Sequence, residues 1–177
     1  MNLSRLVDKD NENHINSDLY KVMDQLDISV RELRRIAHNM MPESLVELGL
    51  EESLRDMCHQ YGTAQTWVDY QAFNINTKIP TDIQVTIYRI VQELLTNALR
   101  HANASEILIQ CSQNEDHFFI TVEDNGKGFD TNNDNKYKGI GLLNIKRRVE
   151  YLAGKLEITS EIGKGTDINI EFNVSKK

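Results

Sequence analysis

The sequence predicts an α/β protein: a two-layer sandwich of mixed β-sheet and helices, preceded by a separate dimerisation helix. Three observations carry this. Five short runs rich in β-branched and aromatic residues follow Thr66, with longer helical patterns set between them. Two pairs of these runs are joined by turn-forming residues, Asn114-Glu115-Asp116 and Ile162-Gly163-Lys164-Gly165, and read as hairpins. Before Pro42, in contrast, apolar residues recur only at gaps of three and four, as on a helix packed against a partner.

Taken in order, Met1, Leu3, Leu6 and Val7 have helical spacing over barely two turns, and residues 8–13 (DKDNEN) form a polar loop. A long helix is expected over about residues 16–41. Ser17 is its N-cap, and Leu19, Val22, Met23, Leu26, Val30, Leu33, Ile36, Ala37 and Met40 form its stripe. Pro42 ends it, because a residue before proline avoids helical geometry. Residues 1–48 therefore read as part of a helical hairpin, first arm cut short, with its hinge; a homodimer would complete the stripe as a four-helix bundle.

Residues 49–177 read as the globular domain. A helix is expected from Leu50 to Tyr61, stopped by Gly62, then a strand over Thr66–Phe73. Pro80, with Thr81 or Asp82 as cap, opens a long helix ending near Ala102. Strands over 106–111 and 117–122 follow, then a polar loop over 130–138 (DTNNDNKYK). A helix over 142–153 ends at Gly154, and strands over 155–160 and 167–172 close the domain.

Composition narrows the function. A net charge of −7 over 177 residues argues against nucleic acid or an anionic membrane as main partner. Cys58 and Cys111 lack C-x-x-C spacing and read as small buried hydrophobes of a reducing compartment. There is no signal-peptide pattern, and no window approaches the roughly 18 apolar residues of a membrane span. The expectation is a cytoplasmic domain that does not itself cross a membrane.

The chemistry gathers in three stretches. On the helix before Ala102, Ile87, Ile90, Val91, Leu94 and Ala98 make a core stripe. Glu93, Asn97 and His101 recur every four residues on the other face, with Arg100 beside them. That face reads as solvated surface or as a site. Asn97 offers a neutral oxygen to a hard cation such as Mg²⁺, and Glu93 can orient a water or act as base. Arg100 and His101 can meet phosphate charge, or merely favour the carbonyl end of their helix. Asp124 ends a strand before Gly126 and Gly128. It reads as a plain turn, or as a carboxylate accepting from the exocyclic amine of adenine, where guanine would leave it unpaired. Gly139 and Gly141 open a helix whose amides suit phosphate oxygens, although G-x-G alone is weak. No Gly-Lys pair is followed by Ser or Thr, so there is no Walker-type loop.

In order and spacing, Glu93-x-x-x-Asn97-x-x-Arg100-His101-Ala102, Asp124-x-Gly126-x-Gly128, Gly139-x-Gly141-Leu142-x-Asn144 and Gly165-Thr166 resemble the N, G1 and G2 boxes and final Gly-Thr of bacterial sensor histidine kinases. The resemblance spans roughly residues 75–174 and implies the Bergerat (GHKL) ATP-binding fold. It implies that Asn97 holds Mg²⁺, with Glu93 beside it in the catalytic centre, and that Asp124 reads adenine. It also implies that residues 130–138 form a lid over ATP, and that Lys138, Leu142 and Thr166 join the nucleotide site. Arg100 departs from the lysine more usual there. Residues 30–42 and Leu48-Gly49-Leu50 look like the second dimerisation helix and hinge of the subfamily paired with NarL/LuxR-type response regulators. Its acceptor histidine lies in an L-H-D sequence on the first helix, which is not found here. His38 is followed by Asn39, which cannot draw the ring proton as an acidic residue would. The expectation is a fragment of a kinase whose parent sits in the inner membrane, with no phospho-acceptor in this chain. The alternative is an anti-sigma-factor-type serine kinase on the same fold.

Overall fold

The computed structural model describes residues 42–75, 78–130 and 140–175. Residues 42–177 form one compact unit, divided from residues 1–41. The helix expected over 16–41, with His38, lies outside the described residues.

The unit opens with α1, Glu43–Tyr61, broken at Gly49 (φ 77°, ψ 179°). The helix was expected to start at Leu50; it starts instead at Glu43, and the break is confined to Gly49. Pro42 starts the helix, where its missing N–H costs nothing. Leu45 before the break and Leu50, Leu54, Met57 and Cys58 after it are all buried, so both pieces pack on the same core.

The strands are β1 (Trp67–Phe73), β2 (Glu106–Asn114), β3 (His117–Asp124), β4 (Lys155–Glu161) and β5 (Gly165–Asn173). They form one sheet ordered β1-β2-β3-β5-β4, in which β1–β2 is parallel and the other pairs are antiparallel. Parallel neighbours need a long crossover, which α2 (Thr81–Asn97) supplies. Alternation puts Ile107, Ile109, Cys111, Phe118, Ile120, Val122, Ile168, Ile170 and Phe172 on one buried face, with Phe118 and Phe172 stacked at 5.5 Å. The buried side of α2 (Ile83, Ile87, Ile90, Val91, Leu94, Leu95) and Ile145 and Val149 of α3 (Ile140–Tyr151) join that core. The opposite face carries a polar rung through register-matched Gln71, Gln110, Thr121, Asn169 and Glu157. The expected mixed-sheet sandwich is therefore the observed one.

Two elements differ in detail. The helix read through to Ala102 is α-helical only to Asn97; Ala98–Ala102 is a π-helical turn closed by Asn103 in the left-handed region. The hairpin between β2 and β3 turns on Glu115-Asp116 alone, since Asn114 already pairs with His117. Among the described residues, no helix is long and apolar enough to cross a membrane.

Candidate functional site

A cleft of about 510 Å³ opens where the end of α2, the ends of β3 and β5, residues 125–129 and the start of α3 meet. Its apolar wall is Leu94, Ala98, Val122, Phe129, Leu142 and Ile168; Asn97, His101, Asp124, Lys127 and Thr166 bring the polar groups. An apolar cavity with a few convergent polar groups is the usual form of a small-molecule site.

One end is heavily braced. Asp124, the last residue of β3, pairs in register with Thr166 of β5, and its Oδ1 accepts from the Gly126 N–H at 2.9 Å. Burial raises its pKa; bonds from the Gly126 N–H and from the Thr166 hydroxyl and N–H oppose that rise. The following loop is tied on every side. Asn125 Oδ1 accepts from the N–H groups of Ser105 and Glu106, both at 3.0 Å. The Lys127 N–H donates to the Ala102 carbonyl at 2.7 Å, and the Gly163 N–H to the Lys127 carbonyl at 2.8 Å. The Phe129 N–H donates to Ser160 Oγ at 2.9 Å, and that hydroxyl donates to the Gly165 carbonyl at 2.9 Å. Side chains are excluded here: a Cβ on Gly126 would enter Ala102, and one on Gly165 (φ 101°) would enter the Asp124 carbonyl.

Among the described residues, the other end is tied more sparsely. Asn97 Nδ2 is buried without a hydrogen-bond partner. Gly141, in the first turn of α3, packs so closely that a Cβ there would lie 2.5 Å from Glu93 Oε1 and 3.1 Å from each polar atom of the Asn97 amide. Gly141, far from Glu93 and Asn97 in sequence, thus meets both at one point.

Most of the sequence-predicted residues converge. Asn97, His101, Asp124, Gly128, Gly141, Leu142 and Thr166 line the cleft, and Glu93 abuts it through Gly141. Arg100 does not; it is exposed and outside the lining. The π turn explains this, because i→i+5 bonding adds a residue to the turn and swings Arg100 away from the Asn97 face. Gly126 does not line the cleft either, and its part is the close approach to Ala102. Lys138 and Gly139 lie outside the described residues. Sequence reasoning missed Asn125, Ser160 and Phe129. The Asp-Asn-Gly run was a usable signal for Asn125, since Asn binds nearby backbone in turns; Ser160 acts only through tertiary contacts and left none.

The arrangement suits a purine nucleotide. A half-buried carboxylate at the braced end can accept from an exocyclic amine while the apolar wall covers the ring. Among the described residues no three His, Cys, Asp or Glu side chains converge on a metal site. Mg²⁺ needs no such cage, since one amide oxygen with phosphates and waters suffices, and the Asn97 side chain lines the cleft; its buried, unpartnered Nδ2 is a donor, suited to a phosphate oxygen rather than to a cation.

Residues 82–176 match the family model described as "Histidine kinase-, DNA gyrase B-, and HSP90-like ATPase". The chain is 30% identical over 148 residues to the signal transduction histidine-protein kinase/phosphatase DegS of Brevibacillus brevis, covering 83% of this chain and 38% of that protein. It is 29% identical over 147 residues to the oxygen sensor histidine kinase NreB of Staphylococcus carnosus, covering 82% and 42%. It thus spans about two fifths of the length of these curated relatives. Among solved structures, the histidine kinase domain of the blue-light activated histidine kinase from Erythrobacter litoralis EL346 superposes with a TM-score of 0.60 at 27% identity, over 71% of this chain and 59% of that one. Histidine kinase AdeS of Acinetobacter baumannii, at 18% identity and a TM-score of 0.54 over 89% and 81%, shares the fold.

Proposed function

The chain belongs to the histidine kinase-, DNA gyrase B- and HSP90-like ATPases, and on that premise we propose that it is the catalytic domain of a sensor histidine kinase, transferring the γ-phosphate of Mg·ATP to a histidine. ATP binding comes with the family. The observation that carries the rest is the meeting of Glu93, Asn97 and Gly141 at one end of the cleft that holds Asp124 at the other.

Each residue has a task that its setting supports. Asp124 accepts from the adenine amine, and Val122, Ile168 and Leu94 exclude water around the ring. Asn97 holds Mg²⁺, which when bound neutralises charge on the phosphate oxygens. Glu93, beside Asn97, orients a water or takes a proton. His101 adds a polar edge to the cleft, and Gly141 and Leu142 bring the first turn of α3, where backbone amides suit phosphate oxygens, to its lining. Phosphoryl transfer is largely positioning and charge neutralisation, so this short list is enough. By resemblance over residues 30–50, the phosphate passes onward to an aspartate of a NarL/LuxR-type response regulator, from a homodimeric parent of which this is a cytoplasmic domain at the inner membrane.

Titration calorimetry with ATP and GTP, each with and without Mg²⁺, should show binding of ATP and preference for it. Incubation with γ-labelled ATP should leave the chain itself unlabelled, His38 not being the acceptor. Label transferred to a histidine-bearing kinase helix should be acid-labile and alkali-stable. Absent ATP binding, or acid-stable phosphoserine on a partner, would overturn the reading.

A further inference from the structure

The sheet has an edge that the nucleotide reading leaves unused. Among the described residues β1 pairs only with β2, and none of its residues lines the cleft. The Trp67 N–H donates to the Ser105 carbonyl at 2.8 Å. By alternation, the main chain of Trp67, Asp69, Gln71 and Phe73 faces β2, and that of Val68, Tyr70 and Ala72 faces outward. The free edge stops there: Thr66 gives its N–H and carbonyl to Thr63, and Asn74 turns away in the left-handed region. Nor does α1 close over it. A groove of about 440 Å³ opens between them, lined by Arg55 and His59 of α1 and by Trp67, Val68 and Tyr70 of β1. Proline, lysine and bulges, the usual guards of an edge, are absent from β1. Val68 and Tyr70 pack on the core, so Trp67 and Phe73 belong to the other face, where they stand 70% and 51% exposed.

We propose that β1 is a self-pairing edge: two copies of this chain join antiparallel about Tyr70 into one continuous sheet. In that register Tyr70 meets Tyr70 and Val68 meets Ala72 as hydrogen-bonded pairs, and every outward main-chain group of the edge is matched. Trp67 then stands opposite Phe73, and Asp69 opposite Gln71, as the non-hydrogen-bonded pairs whose side chains lie closest. Within one strand the Asp69 carboxylate accepts from Gln71 Nε2 at 2.8 Å. The second hydrogen of that amide suits the carboxylate of the other copy. Neighbouring registers do worse. A slip of two residues one way sets Asp69 against Asp69 and leaves Ala72 unmatched; the other way leaves Val68 unmatched. A strand of 7 residues buries less than the roughly 1,200–2,000 Å² of a standard interface, so the pair is weak and concentration-dependent.

Trp67 is the single tryptophan of the chain, so its emission reports on this edge. Oligomeric state alone would not, because the stripe expected over residues 16–41 pairs helices in its own right. As the full chain is concentrated from about 10 µM to about 1 mM, the range suited to so small an interface, Trp67 emission should move to shorter wavelength. Ala72→Pro should abolish the shift and keep the fold, since the N–H it removes points away from β2. If that variant does not fold, Phe73→Glu, at an exposed position, takes its place. Register is read by disulfide trapping, with Cys58 and Cys111 buried out of reach. Trp67→Cys alone and Phe73→Cys alone should stay unlinked under mild oxidation, because each position lies about 20 Å from its own copy. Their mixture should give a disulfide-linked dimer. Emission unchanged over the whole range, or a mixture that links no faster than either variant alone, would overturn self-pairing and leave the edge to an extended segment of a different protein.

Discussion

The two ends of the cleft are built on opposite plans. Around Asp124, hydrogen bonds from three separate segments converge on one loop, and glycines let backbone meet backbone where no side chain fits. Around Asn97, among the described residues, the close approach is that of Gly141, and the amide Nδ2 has no partner. A rigid planar base rewards a preformed surface, because any freedom left there is lost on binding. A triphosphate with its cation brings its own acceptors and charge, so that end can be left for the ligand to complete. Substitutions that break the bracing should therefore be felt by the fold, and those of the groups aimed at the ligand by the ligand.

The largest expected effect is on the fold. Gly165→Ala places a methyl against the Asp124 carbonyl at a backbone angle L-residues rarely adopt. Strain and overpacking together should cost about 3 kcal/mol or more in urea unfolding. Gly163→Ala is the control: its φ is also positive, but nothing lies within 4 Å. It should cost only about 1 kcal/mol. Equal losses in the two would show that the braced end has slack, and the contrast would fail.

Base choice comes next. Asp124→Asn keeps the size but exchanges a pure acceptor for a group that also donates. ATP affinity should fall by about 1–3 kcal/mol, the cost of a buried polar contact left unmade. If the variant prefers ATP over GTP as strongly as the parent, Asp124 is a turn residue only.

At the open end the ligand should feel the change and the fold should not. Asn97→Ala should weaken Mg·ATP at least about tenfold, or 1.4 kcal/mol. It should leave the unfolding midpoint unchanged or slightly higher, since it removes an unsatisfied buried amide and adds the best helix former. A fall in stability with Mg·ATP affinity intact would reverse the assignment of the two ends.

What could be read in advance follows the same division. Sheet, helices and hairpins were legible because alternation and helical spacing are local, and the strand pairs are joined by short turns. Asp124, Asn97 and Gly141 were legible as residue types at chemically sensible spacing. Arg100 lies outside the cleft lining, whereas helical spacing carried through Ala102 would set it beside Asn97. The π turn there goes with the Ala102 carbonyl taking the Lys127 N–H and with Gly126 resting on Ala102, contacts between segments some two dozen residues apart. Ser160 was invisible for the same reason. The start of α1 was misread more simply: Pro42 and Gly49 both signal breaks, but proline before a first turn opens a helix, and Leu45 had a core to reach.

The smallest effect is a pH slope, and it bears on what the braced end costs while empty. Burial holds the Asp124 carboxyl above its ordinary range, despite the bonds from Gly126 and Thr166 that pull the other way. In the unfolded chain it titrates near about 3.9. Between that value and the raised native one, the native state binds more protons than the unfolded state, so stability should fall as pH rises through this window and then level off. Asn cannot titrate. The difference in urea midpoint between parent and Asp124→Asn, followed from about pH 3 to 7, should move in the variant's favour through the window and stay flat above it. Adenine binding should run the opposite way, tightening as pH rises through the same window, because the amine favours the ionised acceptor. A difference that moves in the parent's favour with rising pH would mean that the hydrogen bonds outweigh burial, and that the braced end holds its charge without cost before any nucleotide arrives.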